Sequence, residues 1–182
     1  MIRRALDGLY FASGVLAACF MLAIFGLMLA LSGGREFGIN VPSGDDFTAW
    51  SMVAMSFLGL AHTFKSGDMI RVGLLLERLT GRRRQAMEIF ALVVSILFIA
   101  FFAKNAIQLT WDSYRFDDVS QGVIAVPLWI PQTGFALGIT ILLIAMVDEL
   151  VRVCRGLRPT YEKEPPASPD ELVERIASGG GA

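Results

Sequence analysis

The apolar residues of this chain gather into four charge-poor stretches, residues 8–34, 47–64, 89–103 and 119–147, and nearly all the charge lies between them. The first stretch, Gly8 to Gly34, holds 27 residues without a charge. At about 1.5 Å of rise per residue it exceeds the roughly 20 residues that cross a bilayer. Arg3 and Arg4 precede it, as basic residues precede a secretory signal. A signal's apolar region is only about 7 to 15 residues, however, and no A-x-A-like site closes this one. The pattern therefore predicts a retained span over about residues 9–32.

Phe47 to Phe64, bounded by Asp45-Asp46 and Lys65, predicts a second span at 47–64 whose flanking residues reach the headgroups. The third follows Arg82-Arg83-Arg84 and is predicted over about 85–111. Lys104 interrupts it, and at about 30 Å from Arg84 it is expected at the opposite membrane face, snorkelling. The fourth opens at Pro127-Leu128-Trp129-Ile130-Pro131 and is predicted over about 129–150, with Pro131 tolerated in the first turn. Between the second and third, residues 68–80 are too short and too charged to span. Met69, Val72, Leu76 and Leu79 share one side of a helical projection, and Arg71, Arg78 and Arg82 another. A short amphipathic helix in the cytoplasmic interface and an ordinary connecting helix under the bundle both fit this pattern. The fold class is thus an all-α membrane protein: four transmembrane helices, read with that short interfacial helix, in a domain covering residues 1–155.

Composition sharpens this reading. Of 182 residues, 54% are hydrophobic and 18% charged, against about a quarter charged in a soluble domain, which excludes a disordered chain and a single water-soluble core. Sixteen basic residues balance seventeen acidic ones, so no nucleic-acid partner is expected. Where the signs sit is informative. Thirteen Lys and Arg fall in the amino-terminal segment, the loop between spans two and three, and the tail, against three (Arg35, Lys104, Arg115) on the other side. That other side also carries Glu36, Asp45, Asp46, Asp112, Asp117 and Asp118. Positive loops stay cytoplasmic, so both termini are predicted cytoplasmic. Residues 156–182, rich in Pro, Glu, Ser and Gly, read as a flexible cytoplasmic tail in which Ser168-Pro169-Asp170-Glu171 resembles a helix start.

Candidate chemistry is sparse. His62, the single histidine, falls near the cytoplasmic end of span two and is expected to be interfacial and hydrogen-bonded rather than a proton relay. Cys19 and Cys154 are isolated and read as small packing residues. Asp148-Glu149 with Arg152 and Arg155 reads as a solvated charge cluster. Nothing forms a catalytic, cofactor or metal set, so no enzyme activity and no cofactor are expected. What the spans carry is packing chemistry: Gly134-Phe-Ala-Leu-Gly138 is a GxxxG, and Gly14 and Ala18 repeat the small-xxx-small spacing. Packing within the bundle and packing against another protein are the two uses of such a motif. Ser95, Asn105 and Gln108 are expected to hydrogen-bond inside the bundle. A multi-span chain without a site of its own fits an accessory subunit, with a self-contained small transporter or a redox anchor as the competing classes.

Gly59-Leu60-Ala61-His62-Thr63-Phe64-Lys65-Ser66-Gly67-Asp68-Met69-Ile70-Arg71-Val72, the leucine-rich segment to Leu79, the arginine cluster, and Pro127-Leu128-Trp129-Ile130-Pro131-Gln132 come in that order. Together they resemble the small membrane (DctQ-like) subunit of tripartite ATP-independent periplasmic (TRAP) transporters, over roughly residues 45–155. The family often has His where Met69 stands and an acidic residue where Gly73 stands. The resemblance implies a small permease subunit supporting a large multi-span TRAP membrane subunit, which takes up an organic acid with sodium from a periplasmic substrate-binding protein. It implies no substrate site here, and a fused large subunit is not expected in this chain. Trp129, Gly134 and Gly138 in span four, with Arg71 and Arg78 in the interfacial segment, are the expected contacts with that partner or with membrane lipids.

Overall fold

The computed structural model describes residues 2–38, 42–66 and 82–156; the proposed interfacial segment with Arg71 and Arg78, and the tail beyond residue 156, lie outside them. The described residues form four α-helices: α1 (Ile2–Glu36), α2 (Gly44–Ser66), α3 (Arg82–Arg115) and α4 (Trp129–Cys154). All four are long and apolar enough to cross a membrane. No strand occurs among the described residues, only an isolated bridge between Val119 and Pro127.

The order across the bundle differs from the order along the chain. α1 packs on α2, α2 on α4, and α4 on α3. Burial follows: 39% of the apolar window of α4 and 28% of that of α2 is buried, against 11% in α1 and 17% in α3, so α2 and α4 are the central pair. Ala54 lies against Gly134, Leu58 against Gly138, and Lys65 against Asp148, so α2 and α4 run parallel. α1 and α3 run antiparallel to them, with Leu31 over Gly44 at one end and Gln85 bonded to Val153 at the other.

Backbone proximity explains why the centre is here. A Cβ added at Gly138 would lie 2.5 Å from the carbonyl carbon of Phe57 and 2.7 Å from the nitrogen of Leu58. One at Gly134 would lie 2.8 Å from the Ala54 Cβ. Both glycines of the GxxxG are therefore consumed inside the chain, where their missing side chains let α4 settle onto the α2 backbone. Around this contact Ala54 and Leu58 pack with Ala17 of α1, while Ala103 and Ala106 of α3 meet Ala136 and Ile139. Phe57 and Phe135 seal the layer edge to face, with ring centroids 4.4 Å apart. The α1 contact departs from expectation by one position. Gly14 lies beneath the His62 ring, but Ala18 is exposed and Ala17 takes the place against Gly59.

Several hydroxyl side chains inside the helices are satisfied locally by their own backbone, as an environment without water favours. Ser56 donates to Met52 O, Thr63 to Gly59 O and Thr140 to Ala136 O, each one turn back. At the Trp129 end the connection between α3 and α4 is folded over α2. Ile124 N–H donates to Ser43 Oγ at 2.9 Å, and Gly122 sits where any Cβ would strike the Asp46 carboxylate. Asp46 is thereby drawn partly out of solvent, whereas Asp45, Asp117 and Asp118 remain exposed.

Gly138→Ala is expected to lower equilibrium unfolding stability in mixed micelles by about 1–3 kcal/mol, because the new methyl meets backbone that has no rotamer to yield. Gly26→Ala, at an exposed helical position with nothing within 4 Å, is the control and is expected to leave the midpoint unchanged.

Candidate functional site

Two polar features emerge from this packing, one at the Lys65 end and one halfway along α3. At the Lys65 end, α2 ends and α4 carries Asp148-Glu149. Lys65 Nζ donates to Asp148 Oδ2 at 2.5 Å and to Glu149 Oε2 at 3.2 Å. The side chains of Lys65, Asp148 and Glu149 are 12%, 27% and 0% exposed, so the triad is largely withdrawn from water. Lys65 also sits 5.3 Å from the Tyr10 ring centroid, within cation–π range, which brings α1 into the same cluster. Tyr10, Phe64, Leu92, Met146 and Val153, from all four helices, form the apolar floor beneath it.

This overturns the reading of Asp148, Glu149, Arg152 and Arg155 as a solvated cluster: Glu149 is fully buried, Asp148 and Arg152 are partly buried, and Arg155 alone of the four is exposed. The local spacing hid it, because Arg152 one turn after Asp148 offers a sufficient partner nearby. A usable signal existed. Glu149 continues the sequence Gly138, Leu142 and Ala145 at helical intervals, on the stripe that faces α2. His62 also departs from expectation. Its ring lies over Gly14, and among the described residues its contact there is packing rather than a hydrogen bond. Cys19 and Cys154, read as packing residues, are both exposed.

α3 holds the second feature. Asn105 and Gln108, expected to bond inside the bundle, are exposed, and Asn105 Nδ2 donates only to Phe101 O one turn back. Ser95 is partly buried. Lys104, expected at the membrane face opposite Arg84, is exposed. Its neighbour Ala103 packs with Ala136 and Ile139, so it stands level with the middle of α4, about 15 Å from Trp129 at 1.5 Å per residue. α3 continues past Lys104 to Arg115, so the helix is longer than the bilayer-spanning length counted from Arg84.

Trp129, at the start of α4, stacks edge to face on Tyr114 with centroids 5.8 Å apart. With Trp111, Thr110 and Thr133 it lines an open apolar groove of about 580 Å³ between α3 and α4. Such a belt of Trp and Tyr is what a membrane–water boundary selects. Of the five expected contact residues, then, Trp129 faces this groove, Gly134 and Gly138 face α2, and Arg71 and Arg78 lie outside the described residues. Chemically the chain offers anchoring and packing surfaces. Among the described residues no three His, Cys, Asp or Glu side chains converge as metal ligands.

Lys65→Met is expected to destabilise the purified protein by about 3 kcal/mol, since it strands buried carboxylate charge. Adding Asp148→Asn and Glu149→Gln to it is expected to restore most of that loss, measured as a thermal midpoint in detergent. A fall on Lys65→Met that the two further changes leave untouched would mean that the ammonium acts through packing alone.

No curated protein matches the chain. The family described as the DctQ component of tripartite ATP-independent periplasmic transporters matches residues 24–156, from the middle of α1 to the end of α4. That interval includes the parallel α2–α4 pair, the Lys65 triad and the aromatic groove, and it covers well over half the chain. With four helices long and apolar enough to span a membrane and the family's match running through all of them, this chain belongs to the DctQ component family of TRAP transporters, as a small permease subunit.

Proposed function

We propose that this chain supports a large multi-span membrane subunit which carries out sodium-coupled uptake of an organic acid delivered by a periplasmic binding protein. The observation that carries the reading is where the polarity lies. The buried charges at the Lys65 end are matched within the chain, and Lys104, Asn105 and Gln108 of α3 point outward rather than into a shared interior. A substrate path needs inward-facing ionisable groups or a water-lined cavity. A helper needs outward surfaces, and α1 and α3, the least buried helices, supply them.

The charge distribution supports one orientation in an inner membrane. The Lys65 end, with the arginine-rich loop and both termini, is assigned to the cytoplasm, and the Trp129 end with Asp45, Asp117 and Asp118 to the periplasm. The periplasmic loops would then stand on the side where a binding protein approaches. Thiol labelling of intact cells with a membrane-impermeant maleimide tests this topology, in a background where Cys19 and Cys154 are replaced by Ser. Asp117→Cys is expected to label from outside, and Arg155→Cys only after permeabilisation; the reverse would invert the assignment.

Affinity purification of the full chain from its native membrane in mild detergent tests the partnership itself. The expected outcome is stoichiometric recovery of a much larger multi-span protein. Recovery of this chain alone, with transport activity after reconstitution, would make it a self-contained transporter instead.

A further inference from the structure

The outward face of α3 is apolar from Phe90 to Phe101 and turns polar beyond it, level with the middle of α4. Phe90, Val94, Leu97 and Phe101 are exposed at helical spacing, as a lipid-facing surface should be. The same stripe continues through Lys104, Asn105 and Gln108, all exposed. Of these only Asn105 has a hydrogen bond among the described residues, to the backbone of its own helix.

Depth makes this arrangement costly in lipid. Lys104 stands opposite the middle of α4, about 15 Å below Trp129, half of a hydrocarbon core of roughly 30 Å. The nearer boundary along α3 is the Trp111 end, about 10 Å away over seven residues. Helical Cα–Cβ bonds tilt toward the helix N-terminus, so the Lys104 side chain sets out in the other direction, toward the Arg84 end. Snorkelling to the close boundary therefore works against the geometry of its own helix. A charge in this position is expensive unless a partner meets it, and acyl chains offer neither a counter-charge nor acceptors for the amide of Gln108.

We propose that the outward face of α3 carrying Lys104, Asn105 and Gln108 docks a second integral membrane protein that sets an acidic side chain against the Lys104 ammonium. This rests on the reading of the chain as a transporter subunit and names the surface through which it assembles. Charge complementarity selects the occupant. A membrane protein brings a carboxylate to mid-membrane depth on a rigid helix, whereas a phospholipid phosphate stays at the headgroup level. The apolar half of the stripe, from Phe90 to Phe101, then packs along the same partner helix.

The test compares full-length wild type, Lys104→Met, Lys104→Arg and, as control, Met21→Ala on the exposed face of α1, each purified with its native membrane partners in mild detergent. Lys104→Met is expected to reduce co-purification of the larger membrane protein roughly thirtyfold or more, the consequence of leaving a buried carboxylate unpaired. Lys104→Arg and Met21→Ala are expected to retain it, with all four chains eluting alike in isolation. A photoreactive benzophenone amino acid in place of Gln108 is expected to cross-link to the same larger protein. Recovery with Lys104→Met equal to wild type, or cross-links only to lipid or to a second copy of this chain, would overturn the assignment of this face. Wild type that recovers no larger membrane protein would overturn the functional reading and the face together.

Discussion

In a bilayer, apolar side chains gain little by leaving lipid for one another, so a helix bundle must be held by contacts that lipid cannot supply. In this chain α2 and α4 obtain them by backbone approach. Gly134 and Gly138 remove the side chains that would keep α4 from Ala54, Phe57 and Leu58, and α4 comes to rest where a single added carbon would collide with main chain. Dispersion between closely packed surfaces is then gained over a long parallel seam. The flanking helices take their positions from that seam: Ala17 of α1 packs on Gly59, and Ala103 and Ala106 of α3 on Ala136 and Ile139.

The Lys65 triad belongs to the same seam. Parallel packing at the depth fixed by Gly138 brings the last turn of α2 beside residues 148 and 149 of α4, and the ion pair forms where the apolar contacts end. Its charges are costly to withdraw from water, so the triad does less for net stability than for register. Displacing α4 by one residue along α2 would move Glu149 away from Lys65 and leave a buried carboxylate without that cation. The glycines make the close approach available, and the charges penalise alternatives to it.

Much of this was legible in the residues, and the errors share a cause. Four spans follow from charge-poor apolar runs, because length against bilayer thickness is a local property. The GxxxG and its use in close packing were readable, as was the TRAP resemblance in the segments flanking Lys65 and Pro127. Which side of a helix faces the protein was not. α3 is apolar around most of its circumference, so its pattern does not say that Ala103 and Ala106 turn inward while Asn105 and Gln108 turn outward. Glu149 was misread for a related reason. Its partner lies 84 residues away, and Arg152 nearby offered a sufficient local account.

The proposed function is a division of labour, in which this chain would contribute packing and anchoring and a partner the chemistry of transport. Reconstitution into proteoliposomes tests that division most directly, using the organic acid that the cognate periplasmic binding protein retains and an inward sodium gradient. The account predicts no uptake by this chain alone, and uptake when the large membrane subunit, this chain and the binding protein are combined. Uptake by this chain in isolation, or full uptake by the large subunit and binding protein when this chain is omitted, would contradict it.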